Sequence, residues 1–472
     1  MMRDCTFAIL TAAAVACGSP HDDGHNGSDR PTDSGQGSKE PGISCENKNE
    51  NTLLYSCTAR LESANTATAY LEHPNGERRL VESVQTGSEV AFTLWRMYPN
   101  TAYNVHIESD GDTPLTTSFT TPALPDDWQD ASVTGTASFT HLLLPVGCGS
   151  PHLVVYDGSG RLSWYLPIRT QGELAPSSVV GLNYTEDDTV LAVLDDTHVR
   201  EWSWTQDLLL ELVRGVDFDE PVHHDVARAN GLTLALAAEG YRAQDGIDYV
   251  MDVVLMFDGN ALVDRYRLVD HFEPTGGGEF GVFWSDAFPE HVDWAHLNSI
   301  HPVQGDWLLS ARFMNTVLRV RGDRVAPDFG EQVWAMNPLT EDGPLGNDFA
   351  FAGPDPANFR GQHHANMDAD GSMLLFDNRV QPDDSRVSRW SVDPQNGSAA
   401  LVENWSMGAH CPIQGSAYPL ANGHVVGTCP ATGEIREFAP GIEEPVWTLT
   451  PRCTAGGQLP FMARAIPLNF DP

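Results

Sequence analysis

Residues 293–300 read Asp293-Trp294-Ala295-His296-Leu297-Asn298-Ser299-Ile300, and shortly after comes Gly305-Asp306-Trp307-Leu308-Leu309-Ser310-Ala311-Arg312. A polar motif, a short gap, a Gly turn and an apolar strand follow one another. The same order recurs on both sides. His223-His224-Asp225 leads to Asn230-Gly231 and LTLALAAE, Gln362-His363-His364 to Asp370-Gly371 and SMLLFDN, and Gln414-Gly415-Ser416 to Asn422-Gly423 and HVVGT. His223 and His363 each stand eight residues before their Gly, and Ser416 stands seven before its own. Strands ending in Trp recur too, as in Leu162-Ser163-Trp164, Gln332-Val333-Trp334 and Pro445-Val446-Trp447. A Gly turn ahead of an apolar run reads as a strand. Units of about 40–50 residues built this way are the mark of a β-propeller. Six units begin near 131, 175, 221, 293, 361 and 412, so the expected fold is all-β, with a six-bladed propeller over 125–472. Two insertions, near 270–292 and 338–360, are rich in Gly, Pro and aromatics and predict walls or a lid over one face.

Working outward, residues 44–124 carry short alternating strands such as Ala67-Thr68-Ala69-Tyr70-Leu71 and Val90-Ala91-Phe92-Thr93-Leu94. They predict a small immunoglobulin or fibronectin III-like sandwich, with Tyr103 as the corner tyrosine that bonds back to the backbone. This part carries no convincing chemistry and suits a spacer or a surface that pairs two chains into a homodimer. Residues 17–43 are almost devoid of apolar side chains and read as a tether. His21 and His25 there reflect composition rather than a metal site. Residues 1–16 read as a lipoprotein signal peptide, with Arg3, an apolar run from Phe7 to Ala16, and Cys17-Gly18 at the cleavage point. Cys17 is the expected lipidation site. The expected location is outside the cytoplasm, anchored by lipid and facing the periplasm or the cell surface.

The chain has 65 acids against 27 bases, a formal net charge of -38. So negative a surface repels nucleic acid and anionic lipid, leaving the lipid anchor as the one expected contact with membrane. Any anion site needs its own cluster of positive donors. Lys39 and Lys48 are the only lysines, and both read as preceding the first folded domain. Arg or protonated His must therefore supply positive charge in a site. Six cysteines remain beyond the signal region and allow 15 connectivities. Cys45–Cys57 is the natural local pair; Cys411–Cys429 and Cys148–Cys453 are further candidates.

Equivalent positions of successive blades converge on a propeller axis. That would gather His223 or His224, Asp225, His296, Asn298, His363 and His364 at one channel mouth. A lone histidine is more often a structural cap than a functional group. Three at one register favour a channel lining. Arg312 follows the His296 motif and, beside histidines, makes a clamp for sulfate or phosphate oxygens. Strand alternation points only one of His223 and His224 inward.

The string from Asp293 to Ile300 with Ser310-Ala311-Arg312 resembles the arylsulfate sulfotransferase family. So do His223-His224-Asp225, Gln362-His363 followed by Leu375-Phe376-Asp377-Asn378, and the opening stretch from Val154 to Trp164. The resemblance spans most of 130–450. It implies transfer of a sulfuryl group from a phenolic sulfate ester to a phenol, with no nucleotide sulfate donor, no cofactor and no metal. It implies His363 as the nucleophile, Arg312 and one of His223 or His224 holding the sulfuryl oxygens, His296 as acid and base, and Asn298 orienting a neighbour. His364, directly after the expected nucleophile, leaves the choice between the two open and is also a candidate substrate contact. Two other classes remain: a metal-dependent hydrolase or lyase using these histidines, and a catalytically silent surface propeller that binds a ligand.

Overall fold

The computed structural model describes residues 40–48, 51–63, 66–84, 87–110, 112–125, 129–148, 150–168, 178–275, 284, 286–339, 343–354, 357–368, 370–380, 382–452 and 462–470. Residues 1–39 of the signal region and tether, with Cys17, and Cys453 of one candidate disulfide lie outside these residues; Gly42 and Ile43, expected in the tether, belong instead to the first strand, paired with Arg60 and Ala59. Residues 41–472 form one compact unit. Among the described residues it is all-β, apart from one 3-10 turn at Leu268–Asp270.

Seven strands lie between Gly42 and Thr120. Gly42–Asn47, Tyr55–Arg60 and Glu89–Leu94 make one antiparallel sheet; Arg78–Val84, Ala67–Glu72, Ala102–Ser109 and Leu115–Thr120 make the other, in that order. Alternation along Tyr55–Arg60 and Ala67–Glu72 buries every second side chain. The inward residues of both sheets, among them Ala59, Leu71, Phe92 and Val105, share one core. Cys45 and Cys57 face each other in register and are bonded. The Tyr103 hydroxyl accepts the Tyr98 backbone N–H at 2.7 Å, the corner contact expected from the sequence.

The described residues after Thr120 form six sheets, antiparallel except where Val292–Asp293 and Ala350–Ala352 add short parallel strands. Their inner edge strands are Ile466–Leu468, Val179–Tyr184, Val222–Ala229, Leu297–Val303, His363–Met367 and Ser416–Pro419. Consecutive sheets bury apolar faces against each other. Val193 and Leu212 of the second meet Val226 and Ala235 of the third, and Leu308 and Trp334 of the fourth meet Leu375 and Trp390 of the fifth. The sixth meets the first, through Val426 and Trp447 against Leu144 and Val154. Each fully buried Leu or Val contributes roughly 1.5–3 kcal/mol, so these shared cores hold the sheets in fixed relation.

The unit beginning near Ala131 departs from the sequence reading. Ser132–Gly135 joins the outer edge of the sixth sheet beside Trp447–Thr450, and the C-terminal Ile466–Leu468 completes the first sheet beside His141–Cys148. Local pattern marks a strand but not its partner, and this exchange ties the start and the end of the six-sheet part together. The insertions also divide. Trp284 of the first packs edge-on to His223 at 5.0 Å, whereas Ala350–Ala352 of the second adds a parallel strand to the edge of the fifth sheet. Lys48 is not ahead of the fold: it follows the first strand and pairs with Asp207 at 2.8 Å.

Candidate active site

The site rests on a backbone kink repeated in or just before the inner strands. His224, His296, His364 and Gln414 have φ of 53°, 55°, 51° and 57°. Left-handed backbone costs a non-Gly residue about 1–2 kcal/mol, so its recurrence at one position of four successive sheets marks a built feature. Pairing slips there, between Val222 and Val226, Leu297 and Ser299, and His363 and Asn366. Alternation therefore fails where it was used to choose between His223 and His224, and both line the same cavity. The neighbouring sheet makes room: a Cβ on Gly181 would sit 2.7 Å from the His224 carbonyl oxygen.

The cavity has a volume of about 950 Å³ and is bordered by His223, His224, His296, Arg312, Trp284 and Gln414. His224 lies 4.8 Å from His296 and 6.0 Å from His363, ring centre to ring centre. His223 and His224 bring their Nδ1 atoms to 3.0 Å, so one donates and the other accepts. His296 stacks on Phe313 at 4.7 Å, and its Nδ1 lies 2.7 Å from Asp293 Oδ2. A carboxylate accepts, so Nδ1 carries the proton and Nε2 is left for chemistry. Arg312 donates through Nη2 to the Pro412 carbonyl at 2.7 Å. Burial lowers it to about 10, which leaves it cationic near neutral pH.

His363 is 2% exposed and stands just behind the lining. Its tautomer follows from Asn378. The Asn378 amide nitrogen donates to the carbonyls of Cys411 at 2.7 Å and Gln414 at 2.8 Å. Its oxygen must then accept from His363 Nδ1, at 2.7 Å. The Nε2 lone pair points away and meets the Gln414 backbone N–H at 3.2 Å. Burial, then the Arg312 charge, push His363 well below the ordinary histidine range. His224 is lowered in the same direction, by burial and then by His296. His223 is pushed down to about 3, again chiefly by burial. These three rings are neutral at pH 7, as a nitrogen nucleophile requires.

The other expected residues lie elsewhere. Asn298 does not border the cavity; its amide donates to the Gln362 carbonyl at 2.7 Å and so braces the residue before His363. His364 turns to the opposite side of the kink, 2.9 Å from the Ala417 carbonyl and packed on Tyr418 at 4.4 Å. Asp225 also faces inward and pairs with Arg464 at 2.9 Å. Sequence reasoning gave no role to Asp293, Asn378, Trp284, Gln414 or Arg464. Asp293 and Asn378 stand inside the motifs quoted above, three residues before His296 and at the end of SMLLFDN. Among the described residues, no group of three or more His, Cys, Asp or Glu is arranged to hold a metal ion.

Fold and site together define an all-β protein with a histidine- and arginine-lined cavity suited to moving an oxyanion group. The sequence matches the arylsulfotransferase (ASST) family over residues 145–437, and the chain belongs to that family. Membership makes it a sulfotransferase, with phenols and aryl sulfates as its substrates. No curated protein matches it. Similar solved structures include a protein of unknown function from Bacteroides caccae, at 10% identity and TM-score 0.39, covering 70% of this chain and 98% of that one. Apo AztD from Citrobacter koseri gives 10% identity, TM-score 0.30, and coverage of 85% and 98%. BBS1N in complex with ARL6DN gives 9% identity, TM-score 0.33, and coverage of 75% and 89%. Likenesses this distant carry no functional argument.

Proposed function

We propose that the protein moves a sulfuryl group from a phenolic sulfate ester to a phenol through a sulfohistidine on His363, without a nucleotide sulfate donor. The carrying observation is the Asn378 oxygen on His363 Nδ1, which fixes the proton there and leaves Nε2 as a lone pair. That lone pair attacks sulfur, and the bond from sulfur to the aryl oxygen breaks. His296 Nε2 gives its proton to the departing phenolate, and Asp293 stabilises the imidazolium that precedes this step. An incoming phenol then loses its proton to His296 and attacks sulfur, and the S–N bond breaks to restore His363. Arg312, the His223 and His224 rings, and the Gln414 backbone N–H stand where three sulfuryl oxygens would gather charge. Asn298 keeps the backbone before the nucleophile in place. His364 takes no part.

We read the six sheets as the blades of a propeller, supported by the apolar cores that run from sheet to sheet and from the sixth back to the first. The seven-stranded part at 44–124 reads as a fibronectin-like sandwich, supported by its strand order and the Tyr103 corner. The cysteine at 17 reads as the lipid anchor of an exported protein. The test is nitrophenyl sulfate turnover with and without added phenol, in the full chain and in His363→Ala. Nitrophenol release that depends on the phenol, together with a mass gain of one SO3 on the His363 peptide, is the expected result. Equal release without phenol, or unchanged release in His363→Ala, would sink this assignment.

A further inference from the structure

A second cavity, of about 490 Å³, lies where the small sandwich meets the first large sheet; it shares no lining residue with the histidine cavity. Arg79, Arg96 and Arg161 border it, with His73 and His141. Among its described lining residues Glu77 is the one carboxylate. In a chain with 65 acids and 27 bases, such a gathering of cations runs against composition.

Arg79 is the informative member. It is 6% exposed, it donates through Nη2 to the Trp95 carbonyl, and its buried Nε has no partner. Among the described residues it makes no ion pair with a carboxylate. A buried guanidinium is costly unless an anion faces it. Burial, and then the charge of another cation, Arg96, lower Arg79 to about 9. The His141 ring beside them is pushed down to about 4 by burial and then by Arg96. Arg161 is already answered, pairing with Asp157 at 2.8 Å and lying over the Tyr98 ring at 3.8 Å. Arg96 lies 5.0 Å from the Phe470 ring, which fixes that wall. The pocket thus offers buried positive charge, with the Thr101 and Thr140 side chains also on its lining.

We propose that this seam pocket binds a sulfate or phosphate group, held by Arg79 and Arg96, either as a free ion or as the end of a small ester. Guanidinium groups suit such oxyanions because their donors pair with two oxygens at once. An occupied pocket would tie the sandwich to the first sheet across residues from both.

The test is calorimetric titration of the full chain with inorganic sulfate, inorganic phosphate and phenyl phosphate. Chloride keeps ionic strength constant, and the variants are Arg312→Gln, Arg96→Gln and Arg79→Gln. Arg312→Gln removes the oxyanion clamp of the histidine cavity. The expected result is binding that survives Arg312→Gln and loosens about tenfold or more in Arg96→Gln, while Arg96→Gln leaves aryl sulfate transfer unchanged. Binding by the inorganic ions assigns the free ion; binding by phenyl phosphate alone, with the same Arg96 dependence, assigns the ester. Arg79→Gln adds to the case if it folds, and Arg96→Gln carries the test if it does not. No binding to the wild type, or binding lost in Arg312→Gln and kept in Arg96→Gln, overturns the proposal.

Discussion

His363 and His364 are neighbours in the chain and serve opposite sides of one backbone kink. His363 faces Asn378, Arg312 and His224, and its Nε2 accepts the backbone N–H of Gln414, which lines the cavity. His364 lies among Ala417, Tyr418 and Asn366, on the side where Arg464 meets Asp225. Both rings are buried, and burial lowers both well below the ordinary histidine range. Burial and a shifted pKa therefore do not separate a nucleophile from a structural ring. What separates them is what each ring meets: His363 Nε2 accepts from the backbone of Gln414, a residue of the cavity lining, whereas His364 packs on Ala417 and Tyr418.

The comparison breaks most easily at His363. His363→Ala is expected to lower kcat/KM for aryl sulfate transfer by about 10⁴-fold or more, with circular dichroism and melting close to wild type. Steady-state rates with saturating phenol measure this. A loss under tenfold would move the chemistry to another ring.

The inner side is expected to answer in stability. Arg464→Met leaves the Asp225 carboxylate buried beside its backbone donors from Val226 and Ile300 without a cation. Breaking a buried pair in this way costs about 3–5 kcal/mol, read as a lower denaturant midpoint. Replacing both partners, with Asp225→Asn added, should recover part of it. The buried histidines add a pH dependence. His223, His224, His363 and His364 all have lowered folded values, so the unfolded chain binds more protons as pH falls. Stability is then present above about pH 6.5 and declines as pH drops below it.

Asn378 sharpens the boundary between the two sides, because its side-chain oxygen holds His363, the proposed nucleophile, at 2.7 Å. Asn378→Leu is expected to reduce kcat about 10–100-fold with little change in KM, as loss of an orienting partner does. Asn378→Asp keeps an acceptor for Nδ1 and retains more activity. Its negative charge would favour the imidazolium, so the acid limb of the kcat/KM profile should move to higher pH. An unmoved limb in Asn378→Asp would separate this residue from His363.

Much of this was legible in the sequence for a physical reason. Strand and turn patterning marked the sheets; spacing to the Gly turn matched His223 with His363, and the same order of polar motif, Gly turn and strand added His296. The kink was not legible: a left-handed His224 or His296 has no compositional mark, whereas a glycine there would have shown it. Without the kink, alternation discarded one of His223 and His224. Asp293 and Asn378 were visible as letters, but their roles depend on which way two rings turn. Arg464 lies far along the chain from Asp225, and Ser132–Gly135 pairs with Trp447–Thr450. Such contacts are fixed by closure of the fold, and no local window contains both partners.

The smallest expected effect is the most discriminating. His364→Gln keeps a polar side chain near the Ala417 carbonyl, where His364 Nδ1 now lies at 2.9 Å, but gives up ring packing on Tyr418. Its cost should be about 1–2 kcal/mol of stability, the scale of one buried contact and its packing. Transfer rates should stay within about threefold, because His364 is linked to the cavity only through the backbone it shares with His363. A variant that folds like wild type yet loses transfer would mean that His364 reaches the sulfuryl group. The kink would then present both of its histidines to the cavity, as it does at His223 and His224. Retained transfer with lowered stability would mean that the same kink serves two ends in two sheets. In the third sheet it opens a pair of rings to the cavity. In the fifth it parts them, one ring toward Gln414 of the cavity lining and one to the core.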